Sequence, residues 1–463
     1  MVHCLVLAYP AQGHINPMHY FSKLLQQKGV RVTFVTTFSF CKKLQNVPAS
    51  ISLETISDGF DKGGVDEAGS YKSYFERFWQ VGPKSLGDLL ERVGRSGEGV
   101  DCVIYDSAFP WALEVAKRLE IAGAAFLTQN MFVNSIYYHV HQGKLSLPIT
   151  QNEISLPFLP KLQHQDMPTF FFPTDANNAA LLDLLLSQFS NIHKADWILC
   201  NSLYHMEKEL TDWTMKIWSN LRTIGPCSTS MLLNKRLRDD EDEGDVTQFK
   251  DEECMKWLDD KPKQCVVYVS FGSMGVVKEE QIKEVAYGLR DSESYFLWTM
   301  RASEENKLPK DFEKRSEKGL VVRWCSQVKV LAHEAIGCFV THCGWNSVLE
   351  ALSLGVPMLA MPCWSDQYTN AKLIADVWNL GIRAEVDDKN IVRGQVLKHC
   401  IMEIMKSERG KKVKRNAMEF KALAEHAISE EGKSHKNTVE FLNSLAGSTE
   451  NNQSAGNGKI NSC

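Results

Sequence analysis

The sequence predicts an α/β protein made of two doubly wound, Rossmann-like domains facing each other across a cleft. Three observations carry this. Apolar runs of strand length alternate with helical segments in the first half of the chain. The alternation breaks at an acidic block, residues 239–245, and then restarts. The chain has 463 residues, enough for about two to four domains with large cores.

Residues 3–9 form an apolar run suited to a buried parallel strand. Asn16-Pro17 then predicts a helix N-cap followed by proline at the first helical position. Met18, Phe21 and Leu25 share one face of that helix, Gly29 stops it, and 30–36 is the next strand. The pattern recurs with a strand at 101–105, a helix at 110–119 turning Trp111, Val115 and Leu119 inward, and a strand at 124–127. Residues 156–174 hold Pro157, Pro160, Pro168 and Pro173 beside Phe170, Phe171 and Phe172, the composition of a loop covering something apolar. Six of the seven residues at 239–245 are acidic, which reads as a solvated linker. Beyond it come a strand at 265–270, a helix at 279–289, and strands at 295–300, 320–323, 338–341 and 358–361. Helices at 347–354 and 370–380 interleave with them, and the last third is helical. The expected division is an N-terminal domain at 1–235, a linker at 236–250, a C-terminal domain at 251–445 whose last helix packs back on the first domain, and a disordered tail at 446–463.

Composition narrows the class. Lys+Arg 52 against Asp+Glu 57 leaves a net charge of -5, with no broad basic footprint for nucleic acid or an anionic membrane. The 13 cysteines are odd in number and form no Cys-x-x-Cys pair, as expected of buried thiols in a reducing compartment. The first ten residues lack the charged start of a secretory signal, and no run approaches the about 18 apolar residues of a membrane span. The expectation is a soluble cytoplasmic monomer.

In a doubly wound sheet, ligands bind beyond the carboxyl ends of the strands. There the N-terminal half places Gln12-Gly13-His14, Asp106 and Thr128. A carboxylate that accepts from one imidazole nitrogen fixes the tautomer and leaves the other nitrogen as a base. On these residues alone, His14 can equally be a loop histidine and Asp106 a cap on the helix before Pro110. No Gly-x-Gly-x-x-Gly follows the first strand, which disfavours an NAD(P)-dependent oxidoreductase. Neither a phosphate-binding Gly-Lys-Ser/Thr loop nor a Gly-x-Ser-x-Gly elbow occurs. In the second half, His342, Cys343, Gly344 and Trp345 follow a strand, and Asn346-Ser347 open a helix. A helix start with glycine, amide and hydroxyl donors suits phosphate, with His342 and Ser273 as further donors. Ordinary helix capping explains Asn346-Ser347 as well. A metal site at Cys338, His342 and Cys343 lacks a second ligand cluster. The Asp-x-Asp at 240–242 reads as part of the solvated acidic run.

Residues 324–367 open with Trp-Cys-Ser-Gln and contain His-Cys-Gly-Trp-Asn-Ser. They end in Asp-Gln. The stretch resembles the signature box of plant family 1 UDP-glycosyltransferases, and Gln12 to Pro17 with Tyr105-Asp106-Ser107 extends the likeness over the chain. The resemblance implies a GT-B fold, an acceptor-binding N-terminal domain and a UDP-sugar-binding C-terminal domain. It implies that Trp324 stacks on uracil, Cys325 meets the base edge through its backbone, and Gln327 and Glu350 bind the ribose. Gly13, Ser273, His342, Gly344, Asn346 and Ser347 fall to the donor's diphosphate region. Trp345, Asp366, Gln367 and Thr128 fall to the sugar, with UDP-glucose the implied donor because of Gln367. His14 is the implied base and Asp106 its partner, with inversion from α to β and no metal cofactor. Val348 departs from the usual Thr.

The acceptor is implied to be a hydrophobic alcohol or phenol. Tyr9, Phe78, Met131, Tyr137, Phe171 and Trp364 are the candidate pocket residues, with Phe75, Phe170 and Phe172 beside them. Such aromatics are also ordinary core residues. The stretches at 105–112 and 135–140 resemble the group acting on salicylate, thiohydroximates, terpenoids and steroids. A glucose-ester-forming enzyme acting on a carboxylic acid, and a non-catalytic sugar-nucleotide-binding relative, are the alternatives. An animal-type membrane glucuronosyltransferase fails for want of a signal peptide and a C-terminal span.

Overall fold

β1 (His3–Leu7) is buried at every position, as a strand covered on both faces must be. It lies within a parallel sheet whose further members are β2 (Arg31–Thr37), β3 (Ser52–Ile56), β4 (Cys102–Asp106) and β5 (Ala122–Leu127). A short antiparallel pair, β6 (Glu153–Ile154) and β7 (Leu162–Gln163), precedes the last two members, β8 (Trp197–Cys200) and β9 (Leu221–Thr223). The order is β3-β2-β1-β4-β5-β8-β9. The chain winds outward from β1 in one direction and from β4 in the other, so the topological switch lies between β1 and β4. These statements come from a computed structural model, which describes residues 1–44, 50–172, 175–229, 252–273, 275, 277–312, 314–315 and 317–457. The expected linker at 236–250, including the Asp-x-Asp, lies outside the described residues.

The second sheet is also parallel. It comprises β10 (Val266–Ser270), β11 (Tyr295–Thr299), β12 (Gly319–Val322), β13 (Ile336–Thr341), β14 (Met358–Ala360) and β15 (Gly381–Arg383). Its order, β12-β11-β10-β13-β14-β15, places the switch between β10 and β13. Two compact units result. The first comprises Met1–Thr150, Phe170–Thr247 and His426–Cys463; the second comprises Gln151–Thr169 and Gln248–Glu425. Each has its own core, with Cys4, Phe21 and Phe126 in the first and Val267, Trp298 and Leu359 in the second.

Three local expectations are corrected. The first helix starts at Gln12, with Ala11 as N-cap and Pro17 inside it, so Asn16 is not a cap. His14 and Ile15 both donate to the Ala11 carbonyl at 2.9 Å, which begins the winding five residues early. Pro17 is therefore the sixth residue of the helix, where it cannot give the bond to the Gly13 carbonyl that an N–H would make there. The helix expected at 370–380 is an α-helix Gln367–Lys372 followed by a π turn, Leu373–Val377. The final helix, Lys433–Asn457, runs well into the expected tail. It is fixed in the first unit by Asn437, which donates to the Thr223 carbonyl at 2.7 Å, and by an Arg222–Glu440 ion pair of 2.6 Å.

Candidate active site

At the first switch point the residues after β1 face the end of β4. His14 occupies the third position of the Gln12–Gln27 helix, and Asp106 is the last residue of β4. His14 Nδ1 lies 2.7 Å from Asp106 Oδ2, and the carboxylate is fully buried while the imidazole is 28% exposed. The Tyr9 N–H donates to the same oxygen at 3.4 Å, and the Ala108 N–H donates to the other at 3.0 Å. A carboxylate only accepts, so Nδ1 carries the proton and Nε2 the lone pair. Asp106 caps no helix: the Pro110–Arg118 helix is preceded by Phe109. Thr128, just past β5, brings Oγ1 to 3.5 Å from His14 Nδ1. Gly13 sits beside His14 in the same first helical turn.

An aromatic cluster begins beside this pair at Tyr9. The Tyr9 ring lies 5.0 Å from that of His14, 5.6 Å from Phe109 and 6.4 Å from Phe75. Of the aromatic residues expected to line an acceptor pocket, Phe78 is packed into the core against Phe109 and Trp111, and Tyr137 is packed against Phe171. Both are fully buried, so in this conformation they present no surface to a ligand. Met131 and Phe171 are nearly as buried. Trp364 belongs to the second unit, where a Cβ on Gly275 would stand 3.5 Å from its Nε1.

At the second switch point, His342 follows β13 directly. Its imidazole is flanked by two glycines: a Cβ on Gly272 would lie 2.6 Å from Nε2, and one on Gly344 2.5 Å away. Only glycine leaves room at either position. Burial lowers the His342 pKa to about 4, with the nearby Arg301 charge adding to it, so the ring is neutral at pH 7. Gly344 is the N-cap of the Trp345–Leu354 helix and supplies no side-chain bond. Asn346 and Ser347 therefore stand inside the first turn, and ordinary capping does not account for them. Cys343, between the histidine and the cap, takes a left-handed φ of 66°. Such a conformation is rare for a residue other than glycine and is often found at functional loops.

The neighbouring loop brings three expected donor residues together. Gln327 Nε2 donates to Ser347 Oγ and to Glu350 Oε2, each at 2.8 Å. Cys325 is buried beside Thr299, whose Oγ1 is 3.1 Å from its Sγ. Trp324 is half-buried and Ser273 exposed. Asp366 Oδ2 accepts from Asn370 at 2.9 Å, and Gln367 Oε1 accepts the Cys363 and Trp364 N–H groups at 2.9 and 3.0 Å. The Trp345 indole is 4% exposed, with Trp378 6.2 Å away.

Arg301 is a residue that sequence reasoning passed over. Nη1 donates to the Ser273 carbonyl at 3.1 Å, and Nη2 to the Gly275 carbonyl, so it shapes the loop beyond β10. Its position two residues past β11 was the available signal. Cys338 is a core residue of the second sheet. No helix among the described residues is long and apolar enough to cross a membrane.

These two constellations, each at a switch point, define a sugar-nucleotide-dependent transferase of GT-B fold. The family profile described as UDP-glucoronosyl and UDP-glucosyl transferase matches residues 240–427. Mogroside I-E synthase of Siraitia grosvenorii is 43% identical over 95% of this chain and 97% of its own. Flavonol 7-O-beta-glucosyltransferase UGT74F1 of Arabidopsis thaliana is 40% identical over 96% and 98%. The crystal structure of Os79 from O. sativa in complex with UDP is similar at a TM-score of 0.86 and 33% identity, over 96% of this chain and 100% of that one. The chain belongs to the plant family 1 UDP-glycosyltransferases. It is a UDP-sugar glycosyltransferase acting on small-molecule aglycones.

Proposed function

We propose that this chain is an inverting, UDP-glucose-dependent O-glucosyltransferase for hydrophobic aglycones that uses His14 and Asp106 and requires no metal. The observation that carries the reading is the 2.7 Å contact between His14 Nδ1 and the buried Asp106 carboxylate. His14 Nε2 takes the proton of an acceptor hydroxyl, and Asp106 stabilises the imidazolium. The acceptor oxygen bonds to the anomeric carbon from the side opposite UDP. The bond from that carbon to the phosphate oxygen breaks, UDP keeps the electron pair, and an α-linked sugar becomes β-linked.

The second unit binds the donor. Trp324 stacks on uracil, Cys325 meets the base edge, and Gln327 and Glu350 hold the ribose hydroxyls. The diphosphate lies at the start of the Trp345–Leu354 helix with Asn346, Ser347, Ser273 and neutral His342 as donors. Helix-terminal N–H groups stabilise the charge that develops on the leaving UDP, the role a metal would otherwise have. Activity is therefore expected to survive EDTA. Asp366 and Gln367 read the sugar hydroxyls.

The acceptor is a steroid, terpenoid or phenolic. A flavonol in one relative's name and the trichothecene in an Os79 complex support an apolar ring system bearing a hydroxyl. The enzyme acts as a cytoplasmic monomer. Incubation with UDP-glucose and a panel of phenolic, steroid and triterpenoid acceptors, read by mass spectrometry, tests the whole reading. A glucoside is expected with the wild type and none with His14→Ala, which should still bind UDP. Transfer at the wild-type rate by His14→Ala would overturn the assignment of the base.

A further inference from the structure

Ser365, immediately before Asp366 and Gln367, holds a left-handed φ of 59°. For a residue with a Cβ this conformation is costly and needs outside support. One residue supplies that support at both of Ser365's backbone polar groups. The Thr169 N–H donates to the Ser365 carbonyl at 3.0 Å, and the Ser365 N–H donates to Thr169 Oγ1 at 2.7 Å, across 196 positions of sequence. Thr169 is itself tied down. Asp166, three residues earlier and almost fully buried, pairs through Oδ1 with Arg383 Nη1 at 2.7 Å. Its Oδ2 accepts the Gln163 N–H at 3.0 Å, and its carbonyl accepts from Thr369 Oγ1 at 2.6 Å. Lys372 Nζ lies 4.0 Å from the same carboxylate. All of these residues belong to the second unit.

We infer that Thr169, anchored through Asp166, is a positioning residue that holds the Trp364–Gln367 turn and thereby sets which sugar the enzyme accepts. The inference rests on the reading that Asp366 and Gln367 contact the sugar. Inside the turn, Gln367 Oε1 takes the Cys363 and Trp364 N–H groups. Outside it, Thr169 takes both backbone groups of Ser365. With the outer clamp gone, Ser365 relaxes toward negative φ and carries the next two side chains with it. Among the described residues no hydrogen bond joins Thr169 to the Trp324–Gln327 segment or to the Trp345–Leu354 helix, so the loss falls first on the turn, which is linked toward that helix from Asp366 through Asn370 to the Cys343 carbonyl.

The test compares Thr169→Val, which keeps the N–H and the shape but loses the acceptor oxygen, with Thr169→Ser, which keeps the oxygen. Thr169→Val is expected to raise KM for UDP-glucose about tenfold, the order expected when a half-buried N–H loses its acceptor. It should lower the preference for UDP-glucose over UDP-galactose, with the Kd for UDP within about twofold of wild type. Thr169→Ser should restore both KM and preference. Asp166→Asn discharges the Arg383 pair and tests the anchor independently if Thr169→Val does not fold; it should shift KM the same way, about threefold. The inference is overturned if Thr169→Val matches wild type, if Thr169→Ser is as impaired as Thr169→Val, or if UDP affinity falls in step with KM. Asp366→Ala and Gln367→Ala separate the two levels. If neither raises KM for UDP-glucose, the sugar-reading assignment fails; if both do and Thr169→Val does not, the positioning role alone fails.

Discussion

Replacing Asp106 with asparagine removes one charge and almost no volume from the site. The Asp106 carboxylate is fully buried, and its Oδ2 is 2.7 Å from His14 Nδ1, which places the two charge centres about 4 Å apart once the imidazole is protonated. At an effective dielectric constant of about 20, that attraction is worth about 4 kcal/mol. It is available only after the acceptor's proton has moved, so its loss falls on the transition state. Each 1.36 kcal/mol is about tenfold in rate, so Asp106→Asn should lower kcat by about 10² to 10³. The assay is initial-rate glucosylation of a series of phenols with saturating UDP-glucose, paired with calorimetric titration of UDP. The deficit should shrink as the phenols become more acidic, because a more acidic hydroxyl needs less help from a base. UDP affinity should not move. A kcat above half the wild-type value, or a deficit that is the same for every phenol, would refute the assignment of Asp106 as the partner of the base.

Further predictions concern the framework. Glu207 is fully buried, and burial raises its pKa from 4.5 to about 7 despite bonds from Ser202 and from the Met131 and Phe132 N–H groups. The folded state thus favours the protonated form; its stabilisation is complete below pH 4.5 and is lost as pH rises through about 7. The melting temperature should fall across that window, by the equivalent of about 3 kcal/mol, and Glu207→Gln should flatten the slope; an unchanged slope in the variant would count against it. Gly272→Ala meets both a φ of 74° and the His342 ring 2.6 Å away. It should weaken UDP binding more than tenfold by calorimetry, because the histidine must move. Arg222→Ala breaks the paired bonds to Glu440 at 2.9 and 2.6 Å and uncovers the Trp197 ring beneath the guanidinium. It should lower stability by about 1 kcal/mol, read as a shifted urea midpoint, and leave KM for UDP-glucose unchanged.

The parts of this molecule that were legible in its sequence are those governed by local periodicity. Strands such as β1, β10 and β13 are buried on both faces, so each appears as an unbroken apolar run that needs no tertiary context. Short or mixed strands such as β3 and β15 carry no such run and passed unnoticed: β3 has only Ile56 buried, and β15 is three residues long. The misplaced start of the Gln12–Gln27 helix has a physical cause. Asn16-Pro17 is a sound capping signal, but the winding begins upstream at Ala11 and carries Pro17 inside the helix at the loss of one backbone bond. Phe78 and Tyr137 show the limit for aromatics, whose residue type is the same in a core and in a pocket wall.

The site obeys a different logic from the core. A doubly wound sheet must reverse its winding somewhere, and the connections leaving the two paired strands beside the reversal run to opposite faces of the sheet, which opens a crevice beyond their carboxyl ends. In the first sheet that pair is β1 and β4, and it delivers His14 and Asp106. In the second it is β10 and β13, and it delivers the Gly272–Ser273 turn and His342. Strand order therefore accounts for why residues 92 positions apart in the first unit meet at hydrogen-bond distance. The Thr169–Ser365 clamp lies outside this rule. It joins an irregular segment to a left-handed turn, and neither partner has a periodicity or motif that announces the other. Contacts of that kind are visible only in three dimensions, and they decide how rigidly a motif-bearing loop is held.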